Sequence, residues 1–350
     1  MPFVGEGCPT CGDTRTTDCE QAKNVFNPTQ QHDFPTNTHV ARWPIRSALA
    51  MATFMFIATL LTNPAYPSLD ASLVENLRNA WGGGTVDWLS PDEAAEFPLP
   101  ARPDNLWQTW SALQAMDVDL TVQPAHARRK SILLADMDST MIQQECIDEL
   151  AEEAGVGDEV AHITARAMNG ELDFEAAIIE RVGLLQGLAA DVIDEVLNKR
   201  ITLMSGGPTL LSTMKENGAY CALVSGGFTP FTQAIAARLG FDHHRANTLL
   251  IKDGILTGEV GRPILGRDAK IKALQELCAA QNTTTQNVLA VGDGANDLGM
   301  LKLAGTGVAL HANPSVAEQC DIRINHGDLT ALLYLQGYRK SDFARAPSSF

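Results

Sequence analysis

Residues 136–140, DMDST, set two carboxylates one residue apart at the point where an apolar run, SILLAD, comes to its end. A carboxylate closing a buried strand is costly unless it is hydrogen-bonded, bound to a metal or reactive. Asp138 follows on the turn that leaves the strand, so Asp136 and Asp138 can be aimed at one atom. Two acids in unlike surroundings then divide the work, one ionised as nucleophile or ligand and the other carrying a proton. Aspartate, serine and threonine also suit the start of a helix, and an N-cap is the competing reading of this stretch. GDGAND, residues 292–297, is a second acidic cluster. Its Asp293 sits where a hard cation could bridge it to Asp136, and Mg²⁺, which takes oxygen ligands in an octahedron, suits two carboxylates and a carbonyl. Asn296 and Asp297 fall on the following helical turn, where capping is again the alternative.

Two further stretches supply the opposite sign. VSGGF, residues 224–228, puts Ser225, Gly226 and a second glycine between a strand and a helix, leaving backbone N–H groups free to cradle an anion. A similar stretch, Ser205-Gly206-Gly207, also precedes a helix but follows only the weak run ITLM, so the later one is preferred. Lys270, at the start of DAKIKALQEL, is a fixed cation, although most lysines at such positions are solvated. A carboxylate nucleophile, a proton-carrying carboxyl, a metal and a phosphate cradle with one lysine together describe phosphoryl transfer.

These residues must be held by strands. SILLAD, YCALVS (220–225), NVLAVGD (287–293) and GTGVAL (305–310) are near-continuous apolar runs, as expected of strands buried on both faces of a parallel sheet. Helical patterns separate them, which predicts an open α/β sheet whose ligands bind beyond the carboxyl ends of the strands. Three of the four runs end in Asp136, Ser225 and Asp293. Between Asp136 and Ser225 four helical segments run in succession, a lid able to exclude water and touch the outward part of a substrate. HRANTLLIKDGILTGEVG reads as a hairpin turning at Lys252-Asp253-Gly254. Upstream, residues 55–127 alternate as βαββαβ, the order of a ferredoxin-like sandwich, and ARRK (127–130) is a polar linker.

Composition narrows the function. The 350 residues carry 26 Lys plus Arg against 42 Asp plus Glu, a net charge of −16. Such a chain has no general attraction for nucleic acid or for anionic membranes, so an anionic substrate requires local cations or a metal. Seven cysteines, an odd number spread along the chain, fit a reducing cytoplasm better than a disulfide framework. Cys8, Cys11 and Cys19 offer half of a zinc site, with His32 or His39 as further ligands, but no second cysteine pair follows. The apolar stretch at 47–62 is too short to span a bilayer. Residues 1–54 read as a disordered leader or a mis-called start, with Met55 as the natural first residue, and residues 341–350 as a flexible tail.

From Ser131 to Gly337 the chain resembles the haloacid dehalogenase superfamily of phosphohydrolases, in the branch that acts on phosphoserine. DMDST, VSGGF, the lysine of GRDAK and GDGAND carry the resemblance, in that order on those strand ends. It implies a Rossmann-like sheet over 131–340 with a helical cap inserted at about 143–203. It implies that Asp136 attacks phosphorus to form an aspartyl-phosphate and that Asp138 protonates the leaving oxygen, then activates water. Mg²⁺ would be held by Asp136, the carbonyl of Asp138 and Asp293, with Asp297 in its outer shell. Ser225, Gly226 and Lys270 would hold the phosphate, supported by Asn296. From the cap, Glu145 and Arg181 would pair with the substrate's ammonium and carboxylate, and Met168 and Phe174 would make apolar contacts. Without the resemblance, Arg181 is an ordinary surface arginine. The implied reaction is hydrolysis of O-phospho-L-serine to L-serine and phosphate, the last step of serine biosynthesis; a homodimer is compatible with it, but the sequence does not fix the oligomeric state. A phosphatase or phosphotransferase of the same fold on another small phosphomonoester is the alternative. Residues 55–127 resemble the small amino-terminal domain of bacterial members, similar in shape to amino-acid-binding ACT-like domains.

Overall fold

The computed structural model describes residues 55–168 and 171–345, except for the side chain of Met168. The leader, its three cysteines and residues 346–350 lie outside the described residues. So does the 47–54 part of the apolar stretch, while Phe56–Leu61 of it form a strand.

The first part of the chain runs β1 (Phe56–Leu61), α1 (Ala71–Ala80), β2 (Asp87–Ser90), β3 (Ala94–Leu99), α2 (Leu106–Gln114) and β4 (Asp119–Pro124). The strands form an antiparallel sheet in the order β2-β3-β1-β4, the expected βαββαβ arrangement. Ala58, Leu60, Phe97 and Val122 share one apolar core with Val74 of α1 and Leu113 of α2. Two acidic side chains of this part, Glu93 and Glu96, are tied to residues near the end of the chain or to a neighbour that reaches it. Glu93, 2% exposed, accepts from Tyr334 Oη at 2.8 Å and from Ser90 Oγ at 3.0 Å, and pairs with Lys340. Arg128 clasps Glu96 and donates to the carbonyls of Tyr334 and Leu335. Phe343 and Ala344, expected within a flexible tail, make contacts instead: the Phe343 ring lies 5.0 Å from the Tyr334 ring and Ala344 N donates to Thr213 Oγ1.

After β5 (Ile132–Ala135) come α3 (Cys146–Ala154), α4 (Gly157–Met168), α5 (Phe174–Gly183), α6 (Val192–Lys199) and α7 (Gly207–Glu216). The chain continues through β6 (Tyr220–Phe228), α8 (Thr229–Leu239), β7 (His243–Asn247), β8 (Leu249–Lys252), β9 (Ile255–Val260), α9 (Arg267–Ala280) and β10 (Val288–Gly292). It ends with α10 (Leu298–Leu303), β11 (Thr306–Leu310), α11 (Pro314–Ala317), β12 (Ile322–Ile324) and α12 (Ala331–Leu335). Six strands form one parallel sheet in the order β12-β11-β10-β5-β6-β7. Its central strands are apolar on both faces because helices cover both. Ile132, Leu134, Ala222 and Ala290 pack with Leu274 of α9, and Leu133, Cys221 and Leu289 face the opposite core.

The chain leaves β5 toward β6 on one side and returns to β10 on the other. β5 is therefore the topological switch point, where a crevice opens beyond the strand ends. Helices α3–α6 are inserted there, and a bridge between Ile142 and Leu203 closes the neck of the insertion. The hairpin is shorter than its sequence suggests. Only β8 and β9 form it, turning at Asp253-Gly254, whereas HHRAN is the sixth strand of the large sheet. Its first four residues are half-buried and three of them polar, so this edge strand carries no apolar run. No helix among the described residues is long and apolar enough to cross a membrane.

Candidate active site

Asp136 and Asp293 leave the ends of adjacent parallel strands, β5 and β10, whose register pairs Ala135 with Val291. This brings one carboxylate oxygen from each of Asp136, Asp293 and Asp297 within 4.8 Å of one another. Lys270 Nζ lies 2.6 Å from Asp136 Oδ1 and 2.6 Å from Asp297 Oδ1, and all three residues are buried. A lysine in the first turn of α9 opposes the helix dipole, so these two carboxylates must hold it. Its N–H alignment serves Asp297, and Asp136 Oδ1, sealed from solvent, is left without an aligned donor. Asp297 Oδ2 accepts from Gly294 N at 3.0 Å, so this side chain turns back into the site rather than capping α10. Gly292 permits the approach, since a Cβ there would stand 2.4 Å from Asp297 Cγ.

Three carboxylates against one ammonium leave two negative charges uncancelled. Burial and the charges of Asp297 and Asp293 push the Asp136 carboxyl well above the usual carboxylate range, despite Lys270. Burial also works against the Lys270 ammonium, but Asp136 and Asp297 together outweigh it and hold it above its ordinary value. The partners diverge for a physical reason: the lysine gains two anions, whereas each anion shares one cation. Burial and Asp297 raise Asp293 to about 6 against a hydrogen bond from Thr140 Oγ1 at 2.8 Å. An all-oxygen donor set and three buried carboxylates sharing one ammonium fit a hard divalent cation.

Asp138 sits apart from this cluster. Its Oδ1 accepts from Cys146 N at 2.9 Å, the first N–H of α3, and its Oδ2 accepts from Ser225 Oγ at 3.0 Å. The capping reading and the chemical one thus meet in a single side chain. Ser225 Oγ in turn accepts from Gly227 N at 2.8 Å. The earlier Ser205 is committed elsewhere, donating to Asp328 Oδ2 at 2.7 Å.

The cap brings the start of α3 and one side of α5 toward this crevice. Glu145 immediately precedes α3 and accepts from Ser139 Oγ at 2.6 Å. Protein crowds its carboxyl although one side remains open to water; that crowding and the Asp138 charge raise it to about 7. Arg181, on α5, has no carboxylate within ion-pair distance among the described residues; its Nε donates to Ala177 O at 3.3 Å. Burial lowers its guanidinium, while Asp148, Glu145 and Asp138 face it and draw it up. The Phe174 ring contacts Gly226 and Gly266, lying 3.0 and 3.1 Å from where their Cβ atoms would stand. The Asn296 amide lies 3.9 Å from the same point on Gly226. Met168 closes α4, and its side chain lies outside the described residues.

All the sequence-predicted positions other than the Met168 side chain therefore surround one crevice. Thr140 and Asn247 were missed. Thr140 follows the two aspartates and gave only a capping signal; Asn247 ends the edge strand that went unrecognised. Ser139, read as structural, orients Glu145.

Known proteins share this architecture. The family model for haloacid dehalogenase-like hydrolases matches residues 133–302. The phosphoserine phosphatase of Streptomyces coelicolor is 38% identical over 299 residues, covering 83% of this chain and 72% of its own. A haloacid dehalogenase family hydrolase from Salmonella enterica serovar Typhi superposes with a TM-score of 0.73 at 33% identity, covering 80% of this chain and 98% of that one. A substrate-bound phosphoserine phosphatase complex superposes with a TM-score of 0.56 at 40% identity, over 59% of this chain and 98% of that structure.

Proposed function

The chain belongs to the haloacid dehalogenase-like hydrolases, among the phosphoserine phosphatases, and from that membership we propose that it hydrolyses O-phospho-L-serine to L-serine and phosphate through Asp136. The observation that supports this most is the meeting of Asp136, Asp293, Asp297 and Lys270 beyond the ends of β5 and β10, with Ser225 of β6 held on Asp138 beside them. Asp136, Asp293 and the main-chain carbonyl of Asp138 would hold Mg²⁺, with Asp297 in its outer shell; the ion cancels carboxylate charge and polarises the phosphoryl oxygens.

In this reading an Asp136 carboxylate oxygen bonds to phosphorus as the bond from phosphorus to the serine oxygen breaks. Asp138 gives its proton to that oxygen, so L-serine leaves neutral at its hydroxyl and Asp136 carries the phosphoryl group. Asp138, now a carboxylate, takes a proton from water, whose oxygen attacks phosphorus and returns Asp136 to its free form. Asp138 suits both steps because Cys146 N and Ser225 Oγ fix its two oxygens. Ser225, the backbone at Gly226 and Lys270 take the phosphoryl charge.

The cap reads the amino acid. Glu145, oriented by Ser139, meets the ammonium, and the Arg181 fork meets the carboxylate bidentately. Phe174 seals the crevice over Gly226 and excludes water. Met168 adds an apolar lid contact in the same proposal, and Asn296 supports the phosphate. The test is phosphate release from O-phospho-L-serine, with and without Mg²⁺, by the wild type and Asp136→Asn. Loss of turnover in the variant and in the metal-free enzyme is expected; turnover that survives Asp136→Asn rules the mechanism out.

A further inference from the structure

We infer that Asn247 is a positioning residue that sets the phosphoryl cradle against the Lys270 helix, an inference that rests on the phosphatase reading above. Asn247 is the last residue of β7, 2% exposed, and pairs with Phe228 of β6 across the sheet. It carries no charge and touches none of the carboxylates of the site. Its amide is nonetheless fully committed to two segments that both serve the site, the Gly226 stretch of β6 and the stretch at Leu265 that leads into α9. Nδ2 donates to Gly226 O at 2.7 Å and to Leu265 O at 3.3 Å, while Oδ1 accepts from Leu265 N at 2.6 Å. The assignment of oxygen and nitrogen follows from these partners, since only Oδ1 can face the Leu265 N–H. Thr229 Oγ1 donates to the Asn247 carbonyl at 2.9 Å and fixes the main chain as well.

Each segment carries or leads to a residue that the phosphatase reading assigns to the phosphoryl group. Gly226 belongs to the cradle, and Leu265 and Gly266 lead directly into α9, which carries Lys270. The cradle and the lysine come from separate crossovers of the sheet, and nothing in their own sequences sets the distance between them. One planar amide with two donors and one acceptor does so. The Phe174 ring covers the same pair of segments, in contact with both Gly226 and Gly266.

The clamp also orients a peptide group. C=O and N–H of a trans peptide point in opposite directions, so fixing Gly226 O fixes the Gly227 N–H. That N–H donates to Ser225 Oγ at 2.8 Å, and the Ser225 hydroxyl donates to Asp138 Oδ2 at 3.0 Å. Asn247 thus heads a chain of hydrogen bonds that ends on the proton-carrying carboxyl, and such chains strengthen their members. A buried carbonyl stripped of its donor turns to find another. Rotation of the 226–227 peptide would misdirect both the cradle and Ser225.

The experiment compares wild type, Asn247→Leu, Asn247→Ala and Asp136→Asn in Mg²⁺, assayed below the lowest melting midpoint. Turnover is measured on O-phospho-L-serine and on p-nitrophenyl phosphate, together with the rise in melting midpoint on adding inorganic phosphate. Displacement of reacting groups by about 1 Å costs about 10²-fold. Both Asn247 variants should lose kcat by that factor on both esters, keep KM for O-phospho-L-serine within about threefold, and lose the phosphate-induced rise. The smaller alanine keeps the test alive if leucine does not fold. A residue that merely packs β7 would lower the midpoint and leave kcat alone. Asn247→Leu or Asn247→Ala within threefold of the wild-type kcat, or with an unchanged response to phosphate, overturns the inference. Wild type inactive on O-phospho-L-serine, or Asp136→Asn active, overturns the functional reading instead.

Discussion

Lys270 Nζ stands 2.6 Å from Asp136 Oδ1 in a pair closed to solvent, and the same ammonium reaches Asp297 Oδ1 at 2.6 Å. It is the cation around which the acidic site can fold. Breaking a buried pair by removing one partner costs about 3–5 kcal/mol. Lys270→Gln should lose about that much stability in urea titrations with chelator present, with partial recovery in Mg²⁺, and its kcat should fall by about 10²–10³. An unchanged kcat would show that the lysine is only structural.

The metal site should respond to pH. With no metal bound, Asp293 titrates at about 6, above the 3.8 of an ordinary aspartate. Between these values the folded protein holds more protons than the unfolded chain, so this group makes metal-free stability decline as pH rises from about 4 to about 6. Metal competes with the same proton. Apparent Mg²⁺ affinity should therefore weaken as pH falls below about 6 and level off above it, as calorimetric titration at pH 5, 6, 7 and 8 would reveal. Affinity that is flat from pH 5 to 8 would exclude Asp293 as a ligand.

Arg181 should sort substrates. A charge-assisted contact is worth about 1.5–3 kcal/mol, or about 10- to 100-fold. Arg181→Ala should raise KM for O-phospho-L-serine by that factor while sparing turnover of p-nitrophenyl phosphate, which has no carboxylate to lose. Equal losses on both esters would place Arg181 outside substrate recognition.

The cradle has little room for a side chain. A Cβ at Gly227 would lie 2.6 Å from Asp138 Oδ2 and 3.1 Å from Ser225 Oγ. Gly227→Ala should fold, since nothing at this position calls for a left-handed backbone, yet displace the proton carrier and reduce kcat about 10²-fold. Steady-state assays beside a thermal melt will separate the effects; a fully active variant would mean that Asp138 need not occupy its observed position.

Glu93 offers the opposite dissociation. Its carboxylate is buried under Tyr334, Ser90 and Lys340, and none of these touches the site. Glu93→Ala strands a buried tyrosine hydroxyl and should cost about 2–4 kcal/mol in urea unfolding, with kcat at the wild-type level. A fall in kcat with unchanged stability would show that the small sheet communicates with the crevice.

The chemistry was legible in the sequence because it is written at strand ends. An apolar run that breaks into Asp136, Ser225 or Asp293 states both its burial and its polar terminus within a few residues, and four helical patterns in a row announce the cap. Resemblance to a known family was needed for Arg181, whose local pattern is that of any helix surface. Asn247 and the edge strand that holds it stayed hidden, since HHRAN has neither an apolar run nor a charged motif.

The sequence by itself determined which residues could react, the four apolar strands with the helical insertion between two of them, and the excess of acid that demands a cation. Local periodicity and strand-end chemistry suffice for these. Only the tertiary structure decided which acids the lysine serves, and that one asparagine joins Gly226 of β6 to the segment leading into α9. Those facts depend on the parallel register β10-β5-β6-β7, which joins residues far apart in the chain, and no local pattern encodes a distance across a sheet.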